Sequence, residues 1–265
     1  MHTILDFYAR THTPYLHALG REGTGYLLQQ MAPKPGSRLL EIGFGTGQTL
    51  LELTCRFDGV DVFGLEKSAE MLRVAQKRFA FSGVSAERLQ VMPANVPFPF
   101  PPHFFDAVYC ESVLAILPDA DLVKIWQQIR LVLRPGGRLF FNESLWRDGV
   151  SLAKMAKINE KCMEVFGIPQ ATATWPYPSD WKYLAEQQGF EVLSVVPMEG
   201  IRASLPFQAD SRLFRSRIFT LAGKSSMLFS ASLWKKQKLL RQLFQQFATK
   251  EPYLEGVFFC CRKKD

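Results

Sequence analysis

Two periods of apolar and polar positions alternate along this chain. Between residues 37 and 143, short apolar runs are followed by stretches whose apolar side chains stand three or four apart. Short runs fit strands, and the longer spacing fits helices with one buried face. The runs at Ser37–Ile42, Val60–Leu65, Arg88–Met92, Phe105–Cys110 and Arg138–Asn142 predict five strands. Helical spacing follows the first at Leu50, Leu51 and Leu53. It follows the second at Met71, Leu72, Ala75 and Phe79, behind Ser68 as an N-cap. A third helix starts at Asp119, buries Leu122, Ile125, Trp126, Ile129 and Leu133, and stops at Arg134-Pro135-Gly136-Gly137. Strands alternating with helices imply a parallel sheet covered on both faces.

The flanks are less regular. Residues 3–32 predict one or two helices, interrupted at Pro14 and Gly20. Beyond Glu143, helices are expected at Val150–Phe166, Ser179–Gln188, 207–222 and 228–248, with a sixth strand at Phe190–Val196. The run Gly256–Cys261 is apolar throughout and predicts a last, buried strand. No repeat, low-complexity tract or clear linker divides the chain. The expectation is one α/β domain: a Rossmann-like, seven-stranded, mostly parallel sheet with helices on both faces and a helical lid.

The candidate chemistry starts at Leu39-Leu40-Glu41-Ile42-Gly43-Phe44-Gly45-Thr46-Gly47. A strand ends in an acid, three glycines alternate with single residues, and a helix begins. Glycine permits close backbone approach, and the unpaired N–H groups of a helix's first turn favour an anionic group. A dinucleotide fingerprint wants glycine or alanine at the sixth position of G-x-G-x-x-G, where this chain has Gln48. The pattern instead resembles the first motif of the class I S-adenosylmethionine (SAM)-dependent methyltransferases, acid-x-Gly-x-Gly-x-Gly. Glu66 stands 19 residues after Gly47, at the tip of the second strand, where a carboxylate can accept both hydrogen bonds of a ribose diol. Glu66-x-Ser68-x-x-Met71-Leu72 is similar to the second motif of methyltransferases of the ubiquinone and menaquinone biosynthesis type. That resemblance implies that Met71 or Lys67 lines the adenine pocket.

One departure stands out. Those enzymes carry Gly-Asp-Ala after the third strand, with the Asp on the adenine amino group. Here Val91-Met92-Pro93-Ala94-Asn95-Val96-Pro97-Phe98 puts Met92 at the Asp position. Asn95 is the substitute acceptor, with Ala94 and nearby backbone beside it, and Met92 packs on the ring. Phe105–Leu114 resembles the family's fourth-strand motif, and its Glu111 interrupts an apolar run at the strand's carboxyl end. A carboxylate there needs a partner, either a structural ion pair or a catalytic one. Leu133–Leu139 resembles the family's turn into strand five, and Asp180–Val192 its helix, Gly-Phe and strand six. The resemblance implies a SAM-binding core at 37–143, an N-terminal helical cap at 1–36, and a substrate and lid region at 144–265 with the last two strands. It also implies SAM as cofactor, S-adenosylhomocysteine as product and no metal. The expected cofactor contacts are Glu41, Gly43, Phe44, Gly45, Gly47, Glu66, Lys67, Met71, Met92, Ala94, Asn95 and Glu111.

Composition narrows the partners. The five cysteines are odd in number and form no C-x-x-C, so neither a disulfide framework nor a zinc site is suggested. With no basic-then-apolar leader at the start, the expected location is cytoplasmic. The net charge of +7 is uneven: 13 Lys and Arg face 4 Asp and Glu after residue 200. The amphipathic helix near 228–248 carries part of this excess and admits two readings. It is a lid helix with its charged face in water, or a contact for an anionic membrane surface or acidic substrate. Arg212, Arg215 and Arg217 would add to the second. No Asn/Asp-Pro-Pro-aromatic motif or Pro-Cys nucleophile follows strand four, and no RNA-binding module is visible, so a nucleic-acid substrate is not expected. For a small-molecule acceptor, Glu111, His12 and Tyr177 are the leading catalytic candidates. His17 and Glu143 are further bases, and Tyr8 and Tyr15 could orient the acceptor. Phe44 or a lid aromatic is expected near the sulfonium. The expected function is methyl transfer to an O, N or C nucleophile of a small molecule. The alternatives are a membrane-associated quinone or lipid acceptor, or a non-catalytic SAM-binding regulator.

Overall fold

The computed structural model describes residues 3–17, 19–93, 97–203, 208–225, 230–247 and 252–265, with backbone alone at 236 and 243–247. Its strands are β1 (Arg38–Ile42), β2 (Asp61–Glu66), β3 (Leu89–Val91), β4 (Phe105–Glu111), β5 (Leu133–Trp146), β6 (Phe190–Pro197) and β7 (Leu254–Lys263). The helices are α1 (Ile4–Arg10), α2 (Gly20–Met31), α3 (Gln48–Arg56), α4 (Ala69–Ser82), α5 (Asp119–Val132), α6 (Leu152–Phe166), α7 (Pro178–Gln187), α8 (Ser211–Ser225) and α9 (Ala231–Phe247), with a 3₁₀ turn at Leu114–Ile116. The seven strands form one sheet in the order β3-β2-β1-β4-β5-β7-β6. β7 runs antiparallel between β5 and β6, and the pairs among β1 to β5 are parallel.

Strand period two sorts the core into two layers. Leu40, Ile42, Val108, Cys110, Leu139 and Phe141 face one layer, where Trp126 of α5, Met155 of α6, Trp181 of α7 and Leu233 and Leu240 of α9 pack. Leu39, Tyr109, Phe140 and Phe258 face the other, against Leu27 of α2, Leu51 of α3 and Phe79 of α4. The same alternation decides where the strand-end acids go. Glu41, Glu66 and Glu111 fall on the α2–α3–α4 side, and Glu143 on the opposite side.

The expected elements form with boundary shifts that matter. β2 and β4 each run one residue further than the apolar runs predicted, so Glu66 and Glu111 are the last residues of their strands. β5 is far longer than Arg138–Asn142, because Leu133 already pairs with Phe105 and residues to Trp146 pair with β7. The Pro-Gly-Gly turn is absorbed into that irregular start. Cys260 and Cys261 lie buried in β7, as its apolar run implied.

α4, the N-terminal segment and α8 meet at Arg78, which is fully buried. Its guanidinium donates to the Thr46 carbonyl (2.8 Å), Gln48 Oε1 (2.8 Å), Ser216 Oγ (2.9 Å), Thr220 Oγ1 (2.9 Å) and the His12 carbonyl (2.9 Å). Neutral acceptors thus stand in for a counterion. Burial without one lowers the Arg78 pKa to about 10.

Gly64 is required by close packing. A Cβ on it would stand 2.5 Å from Phe44 Cδ1 and 2.8 Å from Leu50 Cδ1. Gly64→Val is expected to cost about 1–3 kcal/mol through overpacking, read as a lower Tm. An unchanged Tm would mean that the Phe44 ring is not locked over β2.

Candidate active site

A cleft opens at the carboxyl ends of β1, β2 and β4, where the chain winds away from β1 in both directions. About 900 Å³ within it is free of protein atoms, counting space open to solvent. That suits a ligand of nucleotide size. Glu41, Gly43, Phe44, Gly45, Glu66, Lys67, Met71, Met92 and Glu111 all line it. Gly47 does not. It is the left-handed N-cap of α3, and its Cα packs toward Ala75 and Phe79 of α4. Ala94 and Asn95 lie outside the described residues. Phe44 reaches the cleft, but its ring is 5% exposed and seated over Gly64, so it serves as core beneath the loop.

The loop is shaped by its first glycine. Gly43 has φ of 72°, and a Cβ there would lie 2.5 Å from Val113 Cγ2. Its N–H donates to the Leu65 carbonyl (2.7 Å), which ties the loop to β2. α3 then begins with no side-chain cap. Gln48 and Thr49 of its first turn line the cleft.

Four buried carboxyl groups stand at or near the carboxyl ends of β1, β2, β4 and β5, each answered differently. Glu41 accepts from the Tyr109 hydroxyl (2.8 Å). Burial and nearby Glu111 raise its pKa well above the ordinary range. Glu66 accepts the Gly45 N–H on one oxygen and the Ser68 N–H on the other, both at 2.8 Å. Burial raises it too, against these bonds. Glu111 accepts from Thr49 Oγ1 (2.8 Å) and Asn142 Nδ2 (3.1 Å), with Thr24 Oγ1 at 3.4 Å and His17 Nε2 at 3.4 Å. Glu143, on the other layer, accepts the N–H groups of Val113 (3.1 Å), Leu114 (2.8 Å) and Ala115 (3.2 Å).

Two expected catalytic residues are not brought to the cleft. His12 stacks on Phe219 of α8, with ring centroids 4.1 Å apart, and its Nδ1 lies 3.0 Å from the Phe219 carbonyl. Tyr177 is the N-cap of α7, its N–H bonded to Asp180 Oδ2 (2.9 Å), and it packs on the core. The N-terminal segment supplies other residues instead. Tyr15, Leu16 and His17 line the cleft with Gln48, Thr49, Ser112 and Val113. Tyr15 donates to Glu52 Oε1 (2.8 Å), and Thr46 Oγ1 donates to the Thr13 carbonyl (2.8 Å), which pins the segment over the glycine loop. Ser112 sits at φ of 55°, an uncommon backbone state held by its N–H bond to the Asn142 carbonyl (2.8 Å). A signal for Thr49 was present in the sequence, since it lies on the first turn after the loop. Thr24 carries none, and His17 is a candidate there only as a base, because tertiary packing alone brings both to Glu111.

A second cavity adjoins the first, between α1, the 3₁₀ turn, the end of β5 and the loop after α6. It shares Leu5, Leu16, His17, Ser112 and Ile116 with the cleft. A third lies beyond Met92, along Pro93, Phe98, Lys124 and Gln128.

The profile of the family described as "Methyltransferase domain" matches residues 39–137. An uncharacterised methyltransferase of Bacillus subtilis, YodH, is 30% identical over 174 residues, covering 64% of this chain and 68% of that protein. The chain belongs to the class I SAM-dependent methyltransferases. A ubiquinone biosynthesis O-methyltransferase of Pectobacterium carotovorum is 33% identical over 128 residues, 48% of this chain and 51% of that protein. The chain thus spans about half the length of this relative. The phosphoethanolamine N-methyltransferase 2 of Haemonchus contortus, solved with SAM, superposes with a TM-score of 0.67 at 20% identity over 99% of this chain and 57% of that one. This last likeness is one of fold.

The residues present fit SAM. The glycine loop admits close approach, Glu66 holds a carboxylate at the tip of β2 with each oxygen fixed by one backbone N–H, Met71 and Met92 line the cleft with apolar side chains, and the strand-end acids suit a cationic donor. When bound, SAM supplies a methyl group already activated by its sulfonium. Among the described residues, no group of three or more His, Cys, Asp or Glu is placed to hold a metal.

Burial pushes Glu143 from its ordinary 4.5 up to about 7, against three N–H bonds that favour its charge. A raised carboxyl pKa means the folded state holds the proton more tightly than the unfolded state. Its ionisation therefore destabilises the fold progressively as pH rises from about 4.5 through 7, by about 3 kcal/mol at most. Urea unfolding at pH 5 and pH 8 should show wild type losing stability with pH. Glu143→Gln should lose distinctly less across the same interval. Equal losses in both proteins would contradict the assignment.

Proposed function

We propose that the chain binds SAM with Glu66 on the ribose and Met71 and Met92 at the adenine, and transfers the methyl group to a small-molecule acceptor. The observation that carries this reading is Glu66. Each of its oxygens is aimed by one backbone N–H, from the glycine loop and from the turn into α4, so the carboxylate is fixed before any diol arrives. The division into a cap at 1–36, a core at 37–143 and an acceptor region at 144–265 follows from the same reading. Tyr15, His17 and Thr46 support it by holding the cap against the cleft. The chain's own contribution is alignment and water exclusion, since the donor arrives activated. Calorimetry should find S-adenosylhomocysteine bound to wild type. Glu66→Ala should weaken it roughly 10- to 100-fold, as expected for losing hydrogen bonds to a charged group. Absence of any binding to wild type would remove the SAM reading.

A second reading concerns where the acceptor resides. α8 presents Phe214, Ile218 and Leu221 to solvent, 62%, 40% and 64% exposed and spaced on one face. Exposed Arg215, Arg217 and Lys224 flank them, and the helix holds no acid. An apolar stripe bordered by cations suits the interface of an anionic bilayer, from the cytoplasmic side. Among the described residues no helix is long and apolar enough to cross a membrane. Vesicles containing phosphatidylglycerol should recruit the protein at low salt and release it at high salt. The double variant Phe214→Ser, Leu221→Ser should bind them far less. Equal partitioning onto neutral phosphatidylcholine vesicles would contradict this reading.

A further inference from the structure

We infer that the second cavity is the acceptor site and that it takes an apolar, uncharged molecule bearing a hydroxyl, methylated at that oxygen with His17 receiving the proton. This rests on the SAM reading above.

Place and chemistry both carry the inference. The cavity meets the cofactor cleft at His17, Ser112 and Ile116, so a molecule seated in it faces the cleft there. Its walls are largely apolar, formed by Leu5, Tyr8, Ile116, Phe166 and Ile168. No Lys or Arg lines it among the described residues. A carboxylate or phosphate on the acceptor would lose its hydration with no cation to answer it. The acid in the cavity, Glu143, is committed to the N–H groups of Val113, Leu114 and Ala115, which leaves it poorly placed to fix an ammonium. A neutral molecule is what remains, and the polar groups at the mouth suit a hydroxyl.

His17 stands at that mouth with its side chain 4% exposed, Nε2 3.0 Å from Thr24 Oγ1 and 3.4 Å from Glu111 Oε1. Glu111 is itself fixed by Thr49 and Asn142. A held carboxylate behind an imidazole orients the ring and stabilises its protonated form. In the reaction the acceptor oxygen forms the new bond to the methyl carbon while the carbon–sulfur bond breaks and its electron pair stays on sulfur. The hydroxyl proton passes to the ring nitrogen of His17 opposite Nε2, and the Nε2–H of the resulting imidazolium faces Glu111.

The test uses protein saturated with S-adenosylhomocysteine and four probes of one shape: 2-naphthol, 2-naphthoate, 2-naphthyl phosphate and 2-naphthylmethylammonium. Calorimetry should find 2-naphthol bound at least about tenfold more tightly than each charged probe, the cost of desolvating an unpaired charge. Ile168→Lys should reverse the order for 2-naphthoate while leaving S-adenosylhomocysteine affinity unchanged, which also reports that the variant folds. With SAM, 2-naphthol should yield its methyl ether. His17→Gln should slow that turnover roughly 10²- to 10⁴-fold with little change in KM. A charged probe binding as tightly as 2-naphthol, an Ile168→Lys variant with unchanged preference, or bound 2-naphthol that is not methylated at oxygen would each overturn the proposal. Failure of S-adenosylhomocysteine itself to bind would instead remove the SAM reading on which it rests.

Discussion

A carboxyl group at the end of a buried strand must be given partners, and most of this site follows from that constraint. Three of the parallel strands end on or beside such a group, and β5 carries a fourth shortly before its end. Glu66 draws in the glycine loop through Gly45 and the start of α4 through Ser68. Glu111 draws in α3 through Thr49 and lies against Thr24 and His17 of the N-terminal region. Glu143 collects three consecutive N–H groups and so shapes the turn after β4. Glu41 is answered by a tyrosine hydroxyl and stays protonated more readily than an exposed acid. The loops that form the cleft are thus the loops that satisfy these acids. Removing one would leave both a buried charge imbalance and a loosened wall.

A second layer of order comes from Arg78. Its guanidinium spans the glycine loop, the N-terminal segment and α8 through neutral acceptors. α8 is therefore joined to the glycine loop from behind, while its outer stripe faces away. His12, stacked on Phe219 at the same junction, is part of this brace and does not line the cleft.

The fold was legible in the sequence because strand and helix periods are local, and the glycine loop, Ser68 cap and Glu66 follow one another within about two turns of helix and a strand. Glu111 was legible as a charge interrupting an apolar run. His12 and Tyr177 were attractive for their chemistry alone, and packing placed both elsewhere. His17 stands out in the sequence only as one histidine among the candidate bases, and Thr24 not at all, since neither carries a period and their meeting with Glu111 spans some 90 residues of chain. Arg78 reads in sequence as one more helix charge, and its full burial depends on acceptors from three distant segments. The full length of β5 is not written in any local pattern, because its ends are set by pairing with β4 and β7.

The most direct test of the whole account is a crystal structure of the protein with S-adenosylhomocysteine bound. The ribose hydroxyls should lie on Glu66, the homocysteine end beside Gly43–Gly45 and Glu111, and the sulfur toward His17 and Ser112. A nucleoside seated away from Glu66, or a sulfur turned from the His17 side of the cleft, would contradict it.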